Sequence, residues 1–422
     1  MKERIISIDV LRGLTIIMMT IVNNPGSWSH VFPPLLHAEW NGCTPTDLVF
    51  PFFVFIMGAA IPLAIPYKKF DNEVLIKIFT RSLRIICLGL FLNFFSKIEI
   101  FNLSGIPLLI IRLVLTFIIG YALMGNFSQK IKLILVLIIF FSLLTLAYSG
   151  IEAFENVRIP GVLQRIGVVY FFSAIIYLQT SIKTQFAIVA TLLLGYWAIM
   201  TLIPVPGIGY PNLEIGTNLS AWFDNLILEN HMYIATKTWD PEGILSTIPA
   251  IGTGLLGVII GQILNSTLFP IEKAKKMGII SVILIVSGLI WSIVFPLNKS
   301  LWSSSYVLYA AGLATLFLTI LYYIIDIQNI QKGTKLFLIW GVNPMIVFFA
   351  SGIIPRALGM IQFQNPKDLN KTINLYSYLY NFWVEPFFNN PMTASLAGAL
   401  THVLIWSGIL WFFYKNKYIF KV

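Results

Sequence analysis

The sequence predicts an all-α protein, a polytopic integral membrane bundle of about twelve transmembrane helices with both termini in the cytoplasm. Three observations carry this reading. Of the 422 residues, 57% are hydrophobic and only 11% charged, where a soluble domain carries about 25% charged residues. Such a chain cannot cover a water-facing surface, so the soluble domains its length alone would suggest are excluded. Twelve stretches reach the roughly 20 apolar residues that a spanning helix needs. Alternation of apolar and polar residues at period two is absent, which excludes an outer-membrane barrel.

The first span, at about 6–23, carries charge near its start, at Asp9 and Arg12. The next six run at 46–66, 75–95, 104–125, 131–149, 160–179 and 184–204, and the last five at 243–264, 277–296, 304–326, 336–355 and 394–414. Lys and Arg accumulate in short cytoplasmic loops. With the N-terminus inside, sixteen of the 28 fall on cytoplasmic segments, among them Lys2, Arg4, Lys68, Lys69, Lys273, Lys335 and Lys421. Seven fall outside, and Arg12, Arg81, Arg84, Arg112 and Arg165 lie within spans. The net charge of +10 is therefore mainly an orientation signal, and no nucleic-acid partner is expected. The long loops, 24–45, 205–242 and 356–393, all face outward and carry aromatics, Asn, Gly and Pro. Loop 205–242 is too polar to span and too long for a plain connector, so it is either a functional surface or a packed cap over the bundle. A single domain occupies 1–422.

Other chemistries are absent. Cys43 and Cys87 form no C-x-x-C pair, and Cys87 sits in an apolar run, so neither a disulfide nor a metal site is expected. The four histidines show no metal spacing, and no phosphate-binding, dinucleotide or nucleophile-elbow motif occurs in a suitable context. The first apolar stretch has no A-x-A-like cleavage site, so no cleavable leader is read there.

Ionisable residues cost about 2.5–3.5 kcal/mol each in a spanning helix, so they mark cavities or partners. Asp9 and Arg12 are three apart on one helix face and make a local salt bridge near the cytoplasmic end. Arg81 and Arg84, also three apart, either snorkel to headgroups or bind an anion, as guanidinium pairs bind phosphate. From the end of the first span into the second, Asn23, Asn24, His30, His37, Glu39, Thr44, Thr46 and Asp47 gather at one outer boundary, with Thr44 or Thr46 and Asp47 marking a helix N-terminus. A loop histidine is usually a surface residue. His37 differs because Asn, Glu and Asp neighbours could fix its tautomer, as a general base requires. At the same depth, R-I-P-G-V-L-Q-R-I-G brings Gln164 and Arg165, and W-D-P-E-G-I-L-S-T-I-P brings Asp240 and Glu242, either as helix caps or as site residues. Asn343 before Pro344 suggests a break whose free backbone groups line a cavity.

The ordered set S-I-D-V-L-R-G-L-T, N-N-P-G-S-W, L-L-H-A-E-W-N-G-C-T-P-T-D-L-V-F-P-F-F-V-F-I-M-G, R-I-P-G-V-L-Q-R-I-G and D-P-E-G-I-L-S-T-I-P closely resembles the heparan-alpha-glucosaminide N-acetyltransferase family and its bacterial relatives, a group of transmembrane acyltransferases. The resemblance covers most of the chain in order. It implies a ten-helix core, with 104–149 as an inserted hairpin, in a bacterial inner membrane. It also implies transfer of an acetyl group from cytoplasmic acetyl-CoA, a co-substrate, to an amino sugar or glycan end on the far side, without a metal. The family's catalytic histidine matches His37, and its asparagine matches Asn23 or the neighbouring Asn24. Asp47 completes the expected catalytic set, with Asn24, Glu39, Trp40, Gln164, Arg165, Asp240, Glu242 and Asn343 toward the acceptor, and Arg12, Arg81 and Arg84 toward the coenzyme A phosphates. A homodimer is open. The rival function is a secondary transporter or flippase for an amino sugar or lipid-linked sugar, since many spans with broken helices suit that class equally well.

Overall fold

The structure is a computed structural model that describes residues 4–65, 70–100 and 102–420. Lys2, Lys68, Lys69 and Lys421 of the orientation argument, and Pro66 at the end of the second predicted span, lie outside the described residues.

Each predicted span has a helical counterpart. The elements run α1 (Ile6–Asn23), α2 (Val49–Ala64, led by a 3-10 turn at Thr46–Leu48), α3 (Asn72–Phe95), α4 (Gly105–Met124), α5 (Gln129–Ala147), α6 (Val162–Gln179) and α7 (Ile182–Leu202). After α8 (Leu219–Leu228) come α9 (Thr247–Asn265), α10 (Pro270–Trp291), α11 (Ser304–Leu321, continued by a π turn at Tyr322–Ile327), α12 (Thr334–Val342) and α13 (Pro344–Met360). The hairpin β1 (Gln362–Asn365) and β2 (Asp368–Asn374), then α14 (Leu375–Trp383) and α15 (Pro391–Lys415), complete the chain. Among the described residues, ten helices are long and apolar enough to cross a membrane, and α12 with α13, bent by 76° at Asn343, makes an eleventh candidate. The remaining predicted span, 75–95, corresponds to α3, whose first half carries Glu73, Lys77, Arg81 and Arg84 and which is not in that set. The protein is thus a multi-pass helical membrane protein. Loop 205–242 contains α8, and loop 356–393 contains the antiparallel hairpin and α14.

Small residues let the central helices approach closely. On α9, a Cβ at Gly257 would lie 2.1 Å from the carbonyl oxygen of Phe55 on α2. The glycine of S-I-D-V-L-R-G has the same role, since a Cβ at Gly13 would meet the Phe337 carbonyl oxygen of α12 at 1.9 Å. The orphan amides at the start of α1 are capped from another helix: Ile6 N and Ser7 N donate to the Asp326 carboxylate at 2.8 and 3.1 Å. Asp9 accepts from Arg4 Nε at 2.6 Å and Arg12 Nη1 at 2.7 Å, which is the local pairing expected from the sequence.

Cavities define two ends of the bundle. Arg4, Asp9, Arg12, Asn265, Lys273 and Asp326 line a cavity of about 950 Å³. Its neighbour, about 390 Å³, shares Arg12, Ala60 and Ala64 with it and adds Arg81, Tyr170, Ile419 and Phe420. The first and last described segments therefore lie at one end, which is the arrangement that an even number of crossings produces.

Candidate active site

The loop after α1 carries His37 back over the bundle, and the turn into α2 supplies its partner. Asp47 Oδ1 lies 2.6 Å from His37 Nδ1. Asp47 Oδ2 accepts from Ala38 N at 3.1 Å and Thr44 N at 2.9 Å, and the Asp47 carbonyl accepts from the Tyr306 hydroxyl of α11 at 2.5 Å. Asp47 is 1% exposed, whereas the His37 side chain is 52% exposed. A buried carboxylate held by these donors accepts a hydrogen bond from the Nδ1–H of a neutral imidazole. That leaves Nε2, on the open side, as a proton acceptor. The one cysteine beside the pair is no nucleophile: burial, with Asp47 adding to it, pushes the Cys43 thiol up to about 12.

His37 opens on a cavity of about 120 Å³ lined also by Asn23, Thr46, Phe50, Glu242 and Lys299. Phe53 and Ile166 line both this cavity and the one holding Arg12 and Arg81. On the other side, Met19, Asn23, Val162 and Phe348 are shared with a more open cavity of about 430 Å³ containing Asn24, Trp28, Asn93, Arg158, Gln164 and Arg356. A train of four adjoining cavities therefore runs from Arg4 and Lys273 at one end, past His37, to Trp28 and Arg356 at the other.

The remaining expected residues divide by what they touch. Glu242 lines the His37 cavity, while Asn24 and Gln164 line the wider one, each with its amide nitrogen bonded to a backbone carbonyl, Thr20 O and Ile159 O. Asp240 and Glu242 do not cap α9, which starts at Thr247. Both are paired with Arg158, which reaches Asp240 at 2.5 Å, also engages Glu242 and lies over the Tyr233 ring at 4.7 Å. Burial works against the Arg158 charge, but the Glu242 and Asp240 carboxylates outweigh it and raise its pKa. Arg165 is buried against Trp302 and donates to Gly243 O at 3.1 Å and Ser246 Oγ at 2.5 Å. Trp40 ties two loops together, donating to Leu213 O at 2.9 Å and meeting Trp239 edge-on. Glu39 is exposed on its loop and lines none of these cavities.

At the other end, Arg12 and Arg81 line the 390 Å³ cavity, Arg81 lying over Tyr170 at 4.8 Å. Arg84 does not join them; its Nε donates to the Leu123 carbonyl and ties α3 to α4. Asn343 does sit at a helix break, but away from His37. Its Nδ2 donates to Tyr418 O and its Oδ1 accepts from Phe420 N, both at 2.9 Å, which holds the last described segment beside Arg12 and Arg81. Arg158 and Lys299 were read from the sequence only as outer-loop charges. The single available signal for Arg158 was its position at the head of R-I-P-G-V-L-Q-R, and nothing comparable marked Lys299.

Asp224 on α8 accepts from Ile244 N at 2.8 Å. Burial, with the nearby Asp240 adding to it, pushes its carboxyl up to about 7. Between the ordinary carboxylate value of about 4 and 7, the folded protein holds this proton and the unfolded chain does not. Asp224 thus makes stability fall as pH rises through that window. Thermal midpoints of the parent and Asp224→Asn, measured from pH 4.5 to 8, are expected to show a shallower decline in the variant; parallel curves would refute the assignment.

The fold defines a class, the multi-pass helical membrane proteins, and within it the His37–Asp47 pair opens on a train of cavities. A family model described as "Domain of unknown function (DUF5009)" matches residues 4–201. Heparan-alpha-glucosaminide N-acetyltransferase from Homo sapiens is 31% identical over 415 residues, covering 82% of this chain and 52% of that protein. The enzyme of the same name from Mus musculus is 28% identical over 409 residues, covering 83% and 54%. The chain is homologous to the heparan-alpha-glucosaminide N-acetyltransferases, and it spans about half the length of these curated relatives.

Proposed function

We propose that this protein is a transmembrane N-acetyltransferase that moves an acetyl group from cytoplasmic acetyl-CoA to the amine of a glucosamine-type sugar at the outer face of the membrane. The observation that carries the reading is the His37–Asp47 pair set within adjoining cavities that hold Arg4, Arg12 and Arg81 at one end and Asn24, Trp28, Gln164, Arg158 and Arg356 at the other. In this scheme Arg12 and Arg81 receive the coenzyme A phosphates, and the pantetheine arm passes Phe53 and Ile166 to bring the thioester to His37. Nε2 of His37 takes a proton as the amine nitrogen attacks the acetyl carbonyl carbon. The carbon–sulfur bond then breaks, and the departing thiolate receives the proton from the imidazolium. Asn23 donates a hydrogen bond to the carbonyl oxygen as charge develops on it. The homology to named N-acetyltransferases and the general-base geometry support this assignment over transport.

The test is mass spectrometry of products after purified protein meets acetyl-CoA carrying a labelled acetyl group and a panel of amino sugars. Label is expected in an amide of at least one terminal glucosamine. Failure to acetylate any sugar, together with no thermal stabilisation by acetyl-CoA or CoA, would move the assignment to a sugar transporter, which neither binds nor consumes the donor.

A further inference from the structure

Lys299 enters the His37 cavity from the turn between α10 and α11, and that turn is built with more hydrogen bonds than a connector needs. Asn298 Oδ1 accepts from Leu301 N at 2.8 Å, Asn298 N donates to Ser303 Oγ at 3.1 Å, and Lys299 O accepts from Trp302 N at 3.1 Å. Trp302 adopts φ +52°, an uncommon conformation for a bulky residue. It is fully buried, and its Nε1 donates to Thr253 Oγ1 at 3.1 Å. The turn is also knitted to the histidine loop: Gly42 N donates to Leu297 O at 2.7 Å, and Asn298 Nδ2 to Asn41 Oδ1 at 3.3 Å. Tyr306, one turn into α11, holds the Asp47 carbonyl. Lys299 and His37 are therefore fixed relative to one another by two loops and a helix. Lys299 is half-buried, and no carboxylate lies within ion-pair distance of it among the described residues. Glu242, in the same cavity, is engaged by Arg158.

A lysine on a fixed turn, with no carboxylate within ion-pair distance but with a charge that already favours the Glu242 carboxylate, lines the same cavity of about 120 Å³ as His37 and is suited to charge that appears during reaction. We propose that Lys299 is a catalytic residue whose ammonium stabilises the negative charge on the acetyl oxygen when the acceptor nitrogen has bonded to the carbonyl carbon and the carbon–sulfur bond has not yet broken. This rests on the acetyltransferase reading. The ammonium keeps its protons throughout; the amine proton goes to His37 and from there to the thiolate.

The experiment compares parent, Lys299→Gln and Lys299→Arg in acetyl transfer from acetyl-CoA to glucosamine, or to the best acceptor of the panel. For Lys299→Gln, kcat is expected to fall by about 10²–10³-fold, the usual effect of removing one oxyanion donor. KM for both substrates should stay within about threefold and the thermal midpoint should be unchanged. Lys299→Arg, which keeps the charge, should be at least about tenfold faster than Lys299→Gln. A Lys299→Gln kcat within about threefold of the parent overturns the proposal, as does a loss carried by KM or by the thermal midpoint, which would mark a binding or structural lysine. Failure of the parent to transfer acetyl to any acceptor instead overturns the underlying function, and this role with it.

Discussion

His37→Ala is expected to lower acetyl transfer by about 10³-fold, within the range that general bases contribute, with a small fall in the thermal midpoint. The side chain is half-exposed and its polar partner among the described residues is Asp47. Asp47 loses that bond but keeps those to Ala38 N and Thr44 N, so the protein still folds and the larger loss falls on chemistry. His37→Gln, which fills the space without offering a base, should be as slow. Near-parent turnover in either variant removes His37 from the reaction. Label from acetyl-CoA retained on the parent chain but absent from His37→Ala would indicate a covalent acetyl-histidine route.

Arg158→Ala carries the largest expected effect on stability. Asp240 and Glu242 side chains are 0% and 5% exposed, and Arg158 bridges them. Removing the guanidinium leaves two buried carboxylates facing one another, and stranding even one buried charge costs about 3–5 kcal/mol. The variant should unfold at a distinctly lower temperature in detergent, or fail to accumulate. Adding Glu242→Gln removes one stranded charge and should recover part of the loss, as groups sharing one network couple non-additively. Independent, additive effects of the two substitutions would show that the bridge contributes nothing.

The helices were legible because apolar length is a local property, although boundaries moved, as at α10, which spans Pro270–Trp291 where 277–296 is expected. The start of α9 slipped from 243 to Thr247 because W-D-P-E-G is bound into the Arg158 cluster. The short elements α8, α14 and the hairpin were hidden in polar loops, since nothing in their composition separates a packed cap from a connector. His37 and Asp47 could be linked from sequence because ten residues separate them. The partners of Arg158 lie 82 and 84 residues away, and the loop facing Lys299 is 257 residues distant at Asn41. For Arg84, Trp40 and Asn343 the sequence marked polarity in an apolar setting, but their partners are backbone carbonyls at Leu123, Leu213 and Tyr418. Carbonyls leave no trace in residue type.

Phe53 and Ile166 line both the His37 cavity and its neighbour holding Arg12 and Arg81, so where solution fills both cavities these side chains would set where a transmembrane voltage falls. Solution reaching the cavities from both sides would carry each compartment's potential up to that single layer of side chains. The field would then be focused there instead of being spread over the bilayer's hydrocarbon thickness of about 30 Å. A unit charge crossing it would gain or lose about 2.3 kcal/mol per 100 mV. An acetyl group is neutral and crosses such a layer without electrical work, so a bundle of this shape could pass acyl groups at the same rate in polarised and depolarised membranes.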